Sequence, residues 1–152
     1  MQTVITNSVE ETFKLGREFG SKLKGGEVIE FIGDLGAGKT SFMRGVAEGI
    51  GSEDSVSSPT FTLSNVYTSY RHPALDAGST EQSEDYIQVH HFDFYRLNEP
   101  GLVQEQLKEA LEDPKAIVCV EWAESVRGVL PEARTTIQIT AIDEEKREFK
   151  FN

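Results

Sequence analysis

A glycine-rich segment, GDLGAGKT at residues 33–40, fits the pattern G-x-x-x-x-G-K-[ST] of phosphate-binding loops. Glycines let the backbone turn tightly, so that successive amide N–H groups point into one concavity and hold phosphate oxygens. A helix that begins there adds its positive N-terminal end. In such a loop Lys39 reaches the β- and γ-phosphates, the Thr40 hydroxyl ligates Mg²⁺, and Ser41 can contact the α-phosphate. The spacing therefore predicts a nucleotide site.

An acidic side chain near the phosphates is the second element that a magnesium–nucleotide site needs. Glu121 directly follows the apolar run AIVCV, and Asp93 follows YIQVHHF. Acids at strand ends often serve as helix caps or solvated residues, but the phosphate loop favours a functional role for both. We expect Glu121 to hold a metal-bound water or to polarise the attacking one, with Asp93 as the second candidate. Together with Lys39 these are the predicted catalytic residues.

ATP is the expected nucleotide, because the motifs of guanine-specific proteins are absent from the sequence. Those proteins read the base with Asn-Lys-x-Asp and sense the γ-phosphate with Asp-x-x-Gly. None of the four asparagines precedes a lysine, and no aspartate is followed three residues later by glycine. The motifs thus predict a magnesium-dependent ATPase.

Strands and helices alternate along the chain and must position these residues. Alternating apolar and β-branched residues predict strands at 3–6, 27–32, 60–70, 86–92, 116–120, 135–141 and 147–151. Helical spacing predicts helices at 9–23, 40–49 and 102–111, the first of which opens with a capping box of Ser8 and Glu11. This order indicates an α/β fold with a mixed β-sheet flanked by helices. We expect a single domain over residues 1–152, with a loop at about 71–85.

The composition limits the function classes. Fifteen Lys or Arg against 26 Asp or Glu in 152 residues give a net charge of −11. Because this field repels polyanions, we expect any role with RNA or DNA to run through a partner. A single cysteine, Cys119, excludes an internal disulfide framework, and no apolar run approaches the ~18 residues of a membrane span. The N-terminus has no signal-peptide pattern, so a cytoplasmic protein without membrane contact is expected.

Three further clusters follow the loop: SPTFTL at 58–63, HFDFYR at 91–96, and Glu121-Trp122. The chain resembles the TsaE (YjeE) family in four motifs that occur in this order: GDLGAGKTS, SPTFTL, HFDFYRL and VEW. The resemblance extends over nearly the whole chain. That family supplies the P-loop ATPase of the bacterial machinery that makes threonylcarbamoyladenosine beside the tRNA anticodon. The resemblance implies a P-loop NTPase-like fold, ATP binding with slow hydrolysis, and action through the TsaB–TsaD pair, so that tRNA is reached only through these partners.

The resemblance also implies roles for individual residues. ATP and Mg²⁺ are the implied cofactors, with Thr40 and Glu121 at the metal. Ser58 falls in a switch-like loop, Asp93 near the γ-phosphate, and Trp122 on the functional surface. The adenine would lie between the segments 8–12 and 131–134. The nucleotide-binding residues implied in this way are Gly33, Asp34, Leu35, Gly36, Ala37, Gly38, Lys39, Thr40, Ser41, Thr12, Thr60, Thr62, Asp93 and Arg134.

Two alternatives remain open at this point: a small-molecule P-loop kinase, and an ATP-binding assembly factor that does not require hydrolysis. Arg96 or an arginine from a partner could stabilise charge on the γ-phosphate. Two segments depart from the family pattern, since residues 71–88 are longer than expected and residues 99–113 lack the usual acidic-aliphatic pattern. The three histidines show no metal-ligand spacing.

Overall fold

A computed structural model describes residues 1–59, 63–70, 86–95, 97 and 99–152. Within them the chain forms seven strands and three α-helices. The strands are β1 (Gln2–Thr6), β2 (Val28–Ile32), β3 (Ser64–Ser69), β4 (Ile87–Asp93), β5 (Ala116–Glu121), β6 (Thr135–Ala141) and β7 (Arg147–Phe151). The helices are α1 (Val9–Gly20), α2 (Lys39–Gly49) and α3 (Gly101–Glu112), and two short 3₁₀ turns span Ala123–Ser125 and Arg127–Val129.

The strands join one mixed sheet in the order β1-β7-β6-β2-β5-β4-β3, which confirms the predicted α/β fold. The central strands β6, β2, β5 and β4 are parallel, while β7, β1 and β3 add antiparallel edges. Parallel strands end at the same edge of a sheet, so the loop after β2 meets the acidic residues that close β4 and β5. In this register Glu121 lies between Phe31 and Asp93.

Strand β5 is buried along its whole length, as its continuous apolar run predicts. On one face of the sheet, Ile117 belongs to a core with Phe42 and Met43 of α2. On the other face, Val118 packs in a second core with Leu107 of α3. Helices therefore cover β5 from both sides and fix the height at which Glu121 emerges at its end.

Cys119 lies in the middle of β5 and is fully buried. Burial raises the pKa of its thiol well above the ordinary value. An un-ionised thiol is a poor nucleophile and a poor metal ligand, so Cys119 acts as a small apolar residue of the core.

Helices α1 and α2 approach each other through glycines. A Cβ atom at Gly16 would lie 2.1 Å from the carbonyl oxygen of Phe42, and one at Gly45 would lie 2.0 Å from the carbonyl oxygen of Phe13. No side chain fits at such distances, so the two backbones touch directly. This contact holds α2, and with it the phosphate-binding loop at its start, against the N-terminal helix.

The helical spacing of α1 predicts a core made of Phe13, Leu15, Phe19 and Leu23. Leu23 is buried, and Leu15 and Phe19 pack half-buried against the core, whereas Phe13 is half-buried outside that cluster. The fully buried residues of the helix are instead Thr12, Gly16 and Gly20. The difference arises because the closest neighbour of α1 is the backbone of α2, which leaves room only for small residues.

We expect the Gly45→Ala substitution to lower the free energy of unfolding by about 2–3 kcal/mol, because its methyl group would overlap the Phe13 carbonyl. The higher helix propensity of alanine offsets about 1 kcal/mol of the strain. Gly128→Ala is the matched control, since nothing lies within 4 Å of a Cβ there. Urea denaturation of both variants measures the difference, and a Gly45→Ala protein as stable as the control would contradict direct backbone contact.

The start of α1 confirms one half of the predicted capping box. The Ser8 hydroxyl accepts a hydrogen bond from the Glu11 N–H at 3.1 Å. The Glu11 carboxylate accepts from the Asn7 N–H at 2.7 Å, one residue before the position that a reciprocal capping box uses. This backbone bond and a second one from the Asn7 side chain lower the pKa of Glu11.

Some predicted features lie outside the described residues. The strand predicted at 60–70 begins at Ser64 in the structure, and residues 60–62 are not described. The same holds for the loop predicted at about 71–85 and for Arg96. Among the described helices, none combines the length and the hydrophobicity that a membrane crossing requires.

Candidate functional site

The phosphate-binding loop runs from the end of β2 to the start of α2. Gly36 (φ 77°) and Gly38 (φ 104°) adopt the left-handed conformation that favours glycine. A Cβ atom at Gly36 would meet nothing within 4 Å, so the inside of the loop is open. Gly38 is the N-cap of α2 and no side chain caps that helix end. The first N–H groups of α2 are therefore available to an anion.

Lys39 lies at the floor of this loop and its ammonium group is held from several sides. Its Nζ donates to the carbonyl oxygens of Gly33 at 2.7 Å and Asp34 at 3.2 Å. The Oε2 atom of Glu121 lies 3.6 Å from Nζ, and the centroid of the Trp122 ring lies 5.1 Å from it. A buried cation thus stands between two loop carbonyls, a carboxylate and an aromatic face.

The two acidic residues that end β5 and β4 have different partners. Glu121 is buried, with Oε1 at 2.8 Å from His91 Nε2 and Oε2 toward Lys39. Asp93 is fully buried, and its Oδ1 accepts from the Tyr95 N–H at 2.8 Å. Because Asp93 pairs in register with Glu121, the two carboxyl groups are neighbours at the strand ends. Of the two acids, Glu121 is the one that lines the loop's cavity.

A cavity of about 270 Å³ opens above the loop. It brings together eight of the residues predicted at the site, namely Thr12, Leu35, Gly36, Gly38, Lys39, Thr40, Ser41 and Glu121, together with Ser58 from the switch-like segment. Gly33 and Asp34 contribute their carbonyl groups to Lys39 from beneath. Ala37 is a buried core residue, and Thr60 and Thr62 lie outside the described residues.

Three residues of this cavity, Val9, Glu145 and Arg147, were not predicted from the sequence. Glu145 lies in the turn between β6 and β7, and Arg147 is the first residue of β7. This turn lies at the sheet edge where β2 ends, because β6 is parallel to β2. The Arg147 side chain lies beside Gly38, with its Cγ and Nε 3.6 Å from where a Cβ would be. The sequence feature that could have indicated these two residues is the charged turn DEEKR before a strand. Its position next to the phosphate-binding loop follows only from the order of the strands in the sheet.

Arg147 also ties the β6–β7 turn together. Its terminal nitrogen donates to the carbonyl oxygens of Asp143 at 2.8 Å and Lys146 at 2.9 Å. The Asp143 carboxylate in turn accepts from the N–H groups of Lys146 and Glu145, and these bonds lower the pKa of Asp143. The Nε atom of Arg147 is buried and has no hydrogen-bond partner among the described residues. The Nε–H group of Arg147 is therefore a hydrogen-bond donor beside Gly38 that a bound ligand could use.

Arg134 does not line the cavity. Its Nε donates to Glu30 at 2.6 Å and its terminal nitrogen donates to the Pro131 carbonyl at 2.8 Å. It precedes β6, which starts opposite Ile29, well before the end of β2. The structure therefore does not bring Arg134 to the phosphate loop. The wall that was expected from residues 131–134 is formed by the β6–β7 turn instead.

Comparison with known proteins agrees with this architecture. The family model described as "Threonylcarbamoyl adenosine biosynthesis protein TsaE" matches residues 6–149. The chain belongs to the TsaE family.

Individual TsaE relatives support the assignment across almost the full chain. The tRNA threonylcarbamoyladenosine biosynthesis protein TsaE of Nostoc sp. is 32% identical over 151 residues, which are 97% of this chain and 83% of that protein. The Bacillus subtilis protein of the same name is 30% identical over 146 residues, covering 96% and 82%. A crystal structure of Bacillus subtilis YdiB superposes with a TM-score of 0.67 at 28% identity, covering 99% of this chain and 83% of that one.

The residues of this TsaE site fit a nucleotide with magnesium. The Thr40 hydroxyl and the Glu121 carboxylate line one cavity, and hard oxygen donors of this kind suit Mg²⁺. Within the described part of the chain, no group of three or more His, Cys, Asp or Glu side chains is placed to hold a metal by itself. Magnesium is commonly bound by one or two protein oxygens together with phosphate oxygens, so the donor set matches an ion that arrives with a nucleotide.

The position of Arg134 gives a prediction about this TsaE chain. Arg134→Ala removes the close partner of the buried Glu30 carboxylate, so we expect the free energy of unfolding to fall by about 2–4 kcal/mol. Nucleotide affinity should change less than about twofold, because Arg134 does not line the cavity and its loss removes no contact to a nucleotide bound there. A twofold change corresponds to only about 0.4 kcal/mol of binding free energy. The measurements are chemical denaturation and titration with a fluorescent ATP analogue.

Arg127→Ala is the control for charge at the same carboxylate. Its guanidinium is 61% exposed and lies 3.8 Å from Glu30, so we expect its loss to change the free energy of unfolding by less than about 1 kcal/mol. A tenfold loss of nucleotide affinity in Arg134→Ala alone would instead support the nucleotide-binding role that the sequence predicted.

Proposed function

We propose that this chain is a switch protein that binds ATP, hydrolyses it slowly, and acts through a TsaB–TsaD complex in the threonylcarbamoyladenosine modification of tRNA. Membership of the TsaE family supports the pathway. The observation that carries the ATPase proposal is the cavity in which the glycine loop, Lys39, Thr40 and Glu121 meet. Hydrolysis is catalysed there by positioning and charge neutralisation, since phosphoryl transfer needs little covalent chemistry from the protein.

In this proposal the loop amides and the start of α2 hold the phosphates, and Lys39 neutralises the β- and γ-phosphates. In the structure its ammonium group donates to the carbonyls of Gly33 and Asp34, and phosphate oxygens would compete with these carbonyls for it. Thr40 and Glu121 would hold Mg²⁺, which supplies further positive charge next to the phosphates. Asp93, beside Glu121 in register, is the second acid at this edge.

The β6–β7 turn and the start of α1 form the rest of the nucleotide site in this proposal. Val9 is 60% exposed at the cavity mouth and offers an apolar surface to the adenine. Arg147 lies beside Gly38, and its unpartnered Nε offers an N–H to a phosphate or ribose oxygen. Burying a donor without a partner costs free energy, so a ligand oxygen there would be favourable.

The switch in this proposal is the segment between α2 and β3. Ser58 lines the cavity, and the Leu63 N–H donates to the Pro59 carbonyl at 2.6 Å. The Leu63 carbonyl accepts from the Asp93 N–H at 2.9 Å, and Leu63 has a φ of 66°. In this proposal a γ-phosphate close to Ser58 orders that end of the segment, and the bond between Leu63 and Asp93 connects its other end to the end of β4. Hydrolysis would release this order.

The net charge of −11 favours protein partners over direct contact with tRNA, which supports action through TsaB–TsaD. In this proposal the chain acts in the cytoplasm. Two other functions predict different results. A small-molecule kinase would phosphorylate an acceptor stoichiometrically, and such enzymes commonly close an arginine-rich lid. The seven arginines of this chain are spread singly along the sequence. An assembly factor would need ATP binding but not hydrolysis.

The test is the ATPase rate of the chain alone and with purified TsaB–TsaD, measured beside an assay of modified tRNA. We expect slow hydrolysis alone, stimulation by the pair, and modification that depends on this chain. Absence of both the stimulation and the dependence would refute the proposal. A Glu121→Ala variant that supports modification without hydrolysing ATP would favour the assembly factor.

A further inference from the structure

His91 occupies an unusual position behind the cavity. It is 1% exposed and its Nε2 lies 2.8 Å from Oε1 of Glu121. The second oxygen of the same carboxylate, Oε2, lies 3.6 Å from Lys39 Nζ. The two oxygens of Glu121 therefore have separate partners, one behind the cavity wall and one facing into it.

Packing alone does not explain a histidine at this place. The ring lies edge-on to Phe31, a residue of the first core, with 6.4 Å between the ring centroids. Its Nδ1 atom is buried and has no hydrogen-bond partner among the described residues. An unpartnered buried nitrogen costs free energy, so what the histidine contributes is its bond to Glu121.

The neighbouring His90 provides a natural contrast. Successive residues of a strand point to opposite faces of the sheet, and the His90 ring stacks on Phe92 in the second core. Its Nε2 lies 3.2 Å from the Gln88 side chain. His90 thus occupies the adjacent position of β4, half-buried on the opposite face of the sheet, and these side-chain contacts do not include Glu121.

We propose that His91 is a positioning residue: its Nε2–H holds Oε1 of Glu121 so that Oε2 alone is directed at the phosphate cavity. The inference rests on the proposed function. With His91 replaced by an apolar ring, Oε1 is left without its buried partner, and the carboxylate turns both oxygens toward Lys39. That pairing holds the ammonium group against Glu121 and takes Oε2 away from a magnesium ion bound with the nucleotide. Outer partners of metal ligands typically contribute about 10–100-fold to metal affinity.

The experiment measures the affinity for a non-hydrolysable ATP analogue, once with magnesium and once with EDTA, and takes the ratio as the magnesium enhancement. Wild type is compared with His91→Phe, His91→Gln and the control His90→Phe, at a temperature where thermal unfolding shows each to be folded. We expect His91→Phe to lose about tenfold of the enhancement. His91→Gln should recover most of it, because its amide N–H can donate to Oε1, and His90→Phe should match wild type.

The rescue separates positioning from packing, since a purely structural role would not distinguish a donor from a non-donor. His91→Met resembles the glutamine variant in size without an N–H, and it replaces His91→Phe if the latter does not fold. Full magnesium enhancement in the non-donor variants, or equal loss in the glutamine and methionine variants, overturns the inference alone. Absence of any enhancement in wild type overturns the proposed nucleotide site together with it.

Discussion

A Lys39→Ala variant is expected to bind ATP roughly 100-fold more weakly than wild type, or worse, since truncating one partner of a buried charge pair typically costs 2–5 kcal/mol or more. Lys39 lines the cavity, and in the proposed function its ammonium group neutralises the phosphates. The other cation among the described residues of the cavity, Arg147, already donates from its terminal nitrogen to turn carbonyls. The loop amides would then hold the phosphates without a neutralising charge.

The same substitution removes the ion-pair partner of Glu121, so loss of affinity must be separated from loss of fold. Lys39→Met keeps the apolar stem and removes only the charge, and we expect it to lose nearly as much affinity as the alanine variant. Lys22→Ala removes an equal charge from an exposed position away from the cavity and should bind like wild type. Calorimetric titration with ATP and magnesium measures all three. A folded Lys39→Met protein with unchanged affinity would refute the proposed site.

The phosphate-binding loop could be predicted because its chemistry is local. Gly36, Gly38 and Lys39 act through the conformation and spacing of adjacent residues, which the sequence states directly. The strands on either side of the site could also be predicted from the sequence, because runs of apolar residues indicate β2 and β5 without information from the rest of the chain. What the sequence could not supply was the order in which these strands pair.

That missing order explains why the lining of the cavity differs from the expected one. The β6–β7 turn reaches the cavity because β6 pairs with β2 in parallel, a contact between residues about one hundred positions apart. The resemblance implies Arg134 as a nucleotide-binding residue, whereas its partner in the structure, Glu30, is also about one hundred positions away in sequence. The same limit applies to Gly45, whose importance depends on the carbonyl of Phe13 in another helix. The β6–β7 turn, Arg134 and Gly45 thus each depend on a contact with residues that are distant in sequence.

The two strand-end acids show a finer limit. From the sequence, Glu121 and Asp93 are both carboxylates that follow a buried strand. In the structure, Asp93 holds the backbone of Tyr95, whereas Glu121 faces Lys39 and lines the cavity. The pairing of β4 with β5 places the two carboxyl groups side by side, but their oxygens contact different groups and therefore have different roles. A substitution at Glu121 is therefore expected to affect the chemistry most.

A Glu121→Gln variant is expected to lose magnesium-dependent ATP hydrolysis by roughly 100–1,000-fold, the range seen when one preorganised electrostatic group is removed from an active site. The substitution keeps the size of the side chain, and its amide oxygen can still accept from His91. It removes the negative charge that lies 3.6 Å from Lys39 Nζ. The fold should be retained while the oxygen ligand proposed for magnesium is weakened.

The charge removed from Glu121 also competes with phosphate for Lys39, which gives the variant a second signature. Without magnesium, we expect Glu121→Gln to bind ATP at least as tightly as wild type, because the substitution removes the carboxylate that pairs with Lys39 and competes with phosphate for it. Glu124→Gln, three residues later and exposed, is the matched control and should behave like wild type in both assays.

These two signatures oppose each other, and their combination distinguishes the proposed role of Glu121 from a merely structural one. A structural role predicts that hydrolysis and magnesium-free binding fall together, in proportion to lost stability. The proposed role predicts that hydrolysis falls while magnesium-free binding holds or rises. Steady-state phosphate release and fluorescence titration in EDTA measure the pair on the same preparation. Retention of hydrolysis within about tenfold of wild type would assign the essential carboxylate elsewhere, with Asp93 as the next candidate at this edge.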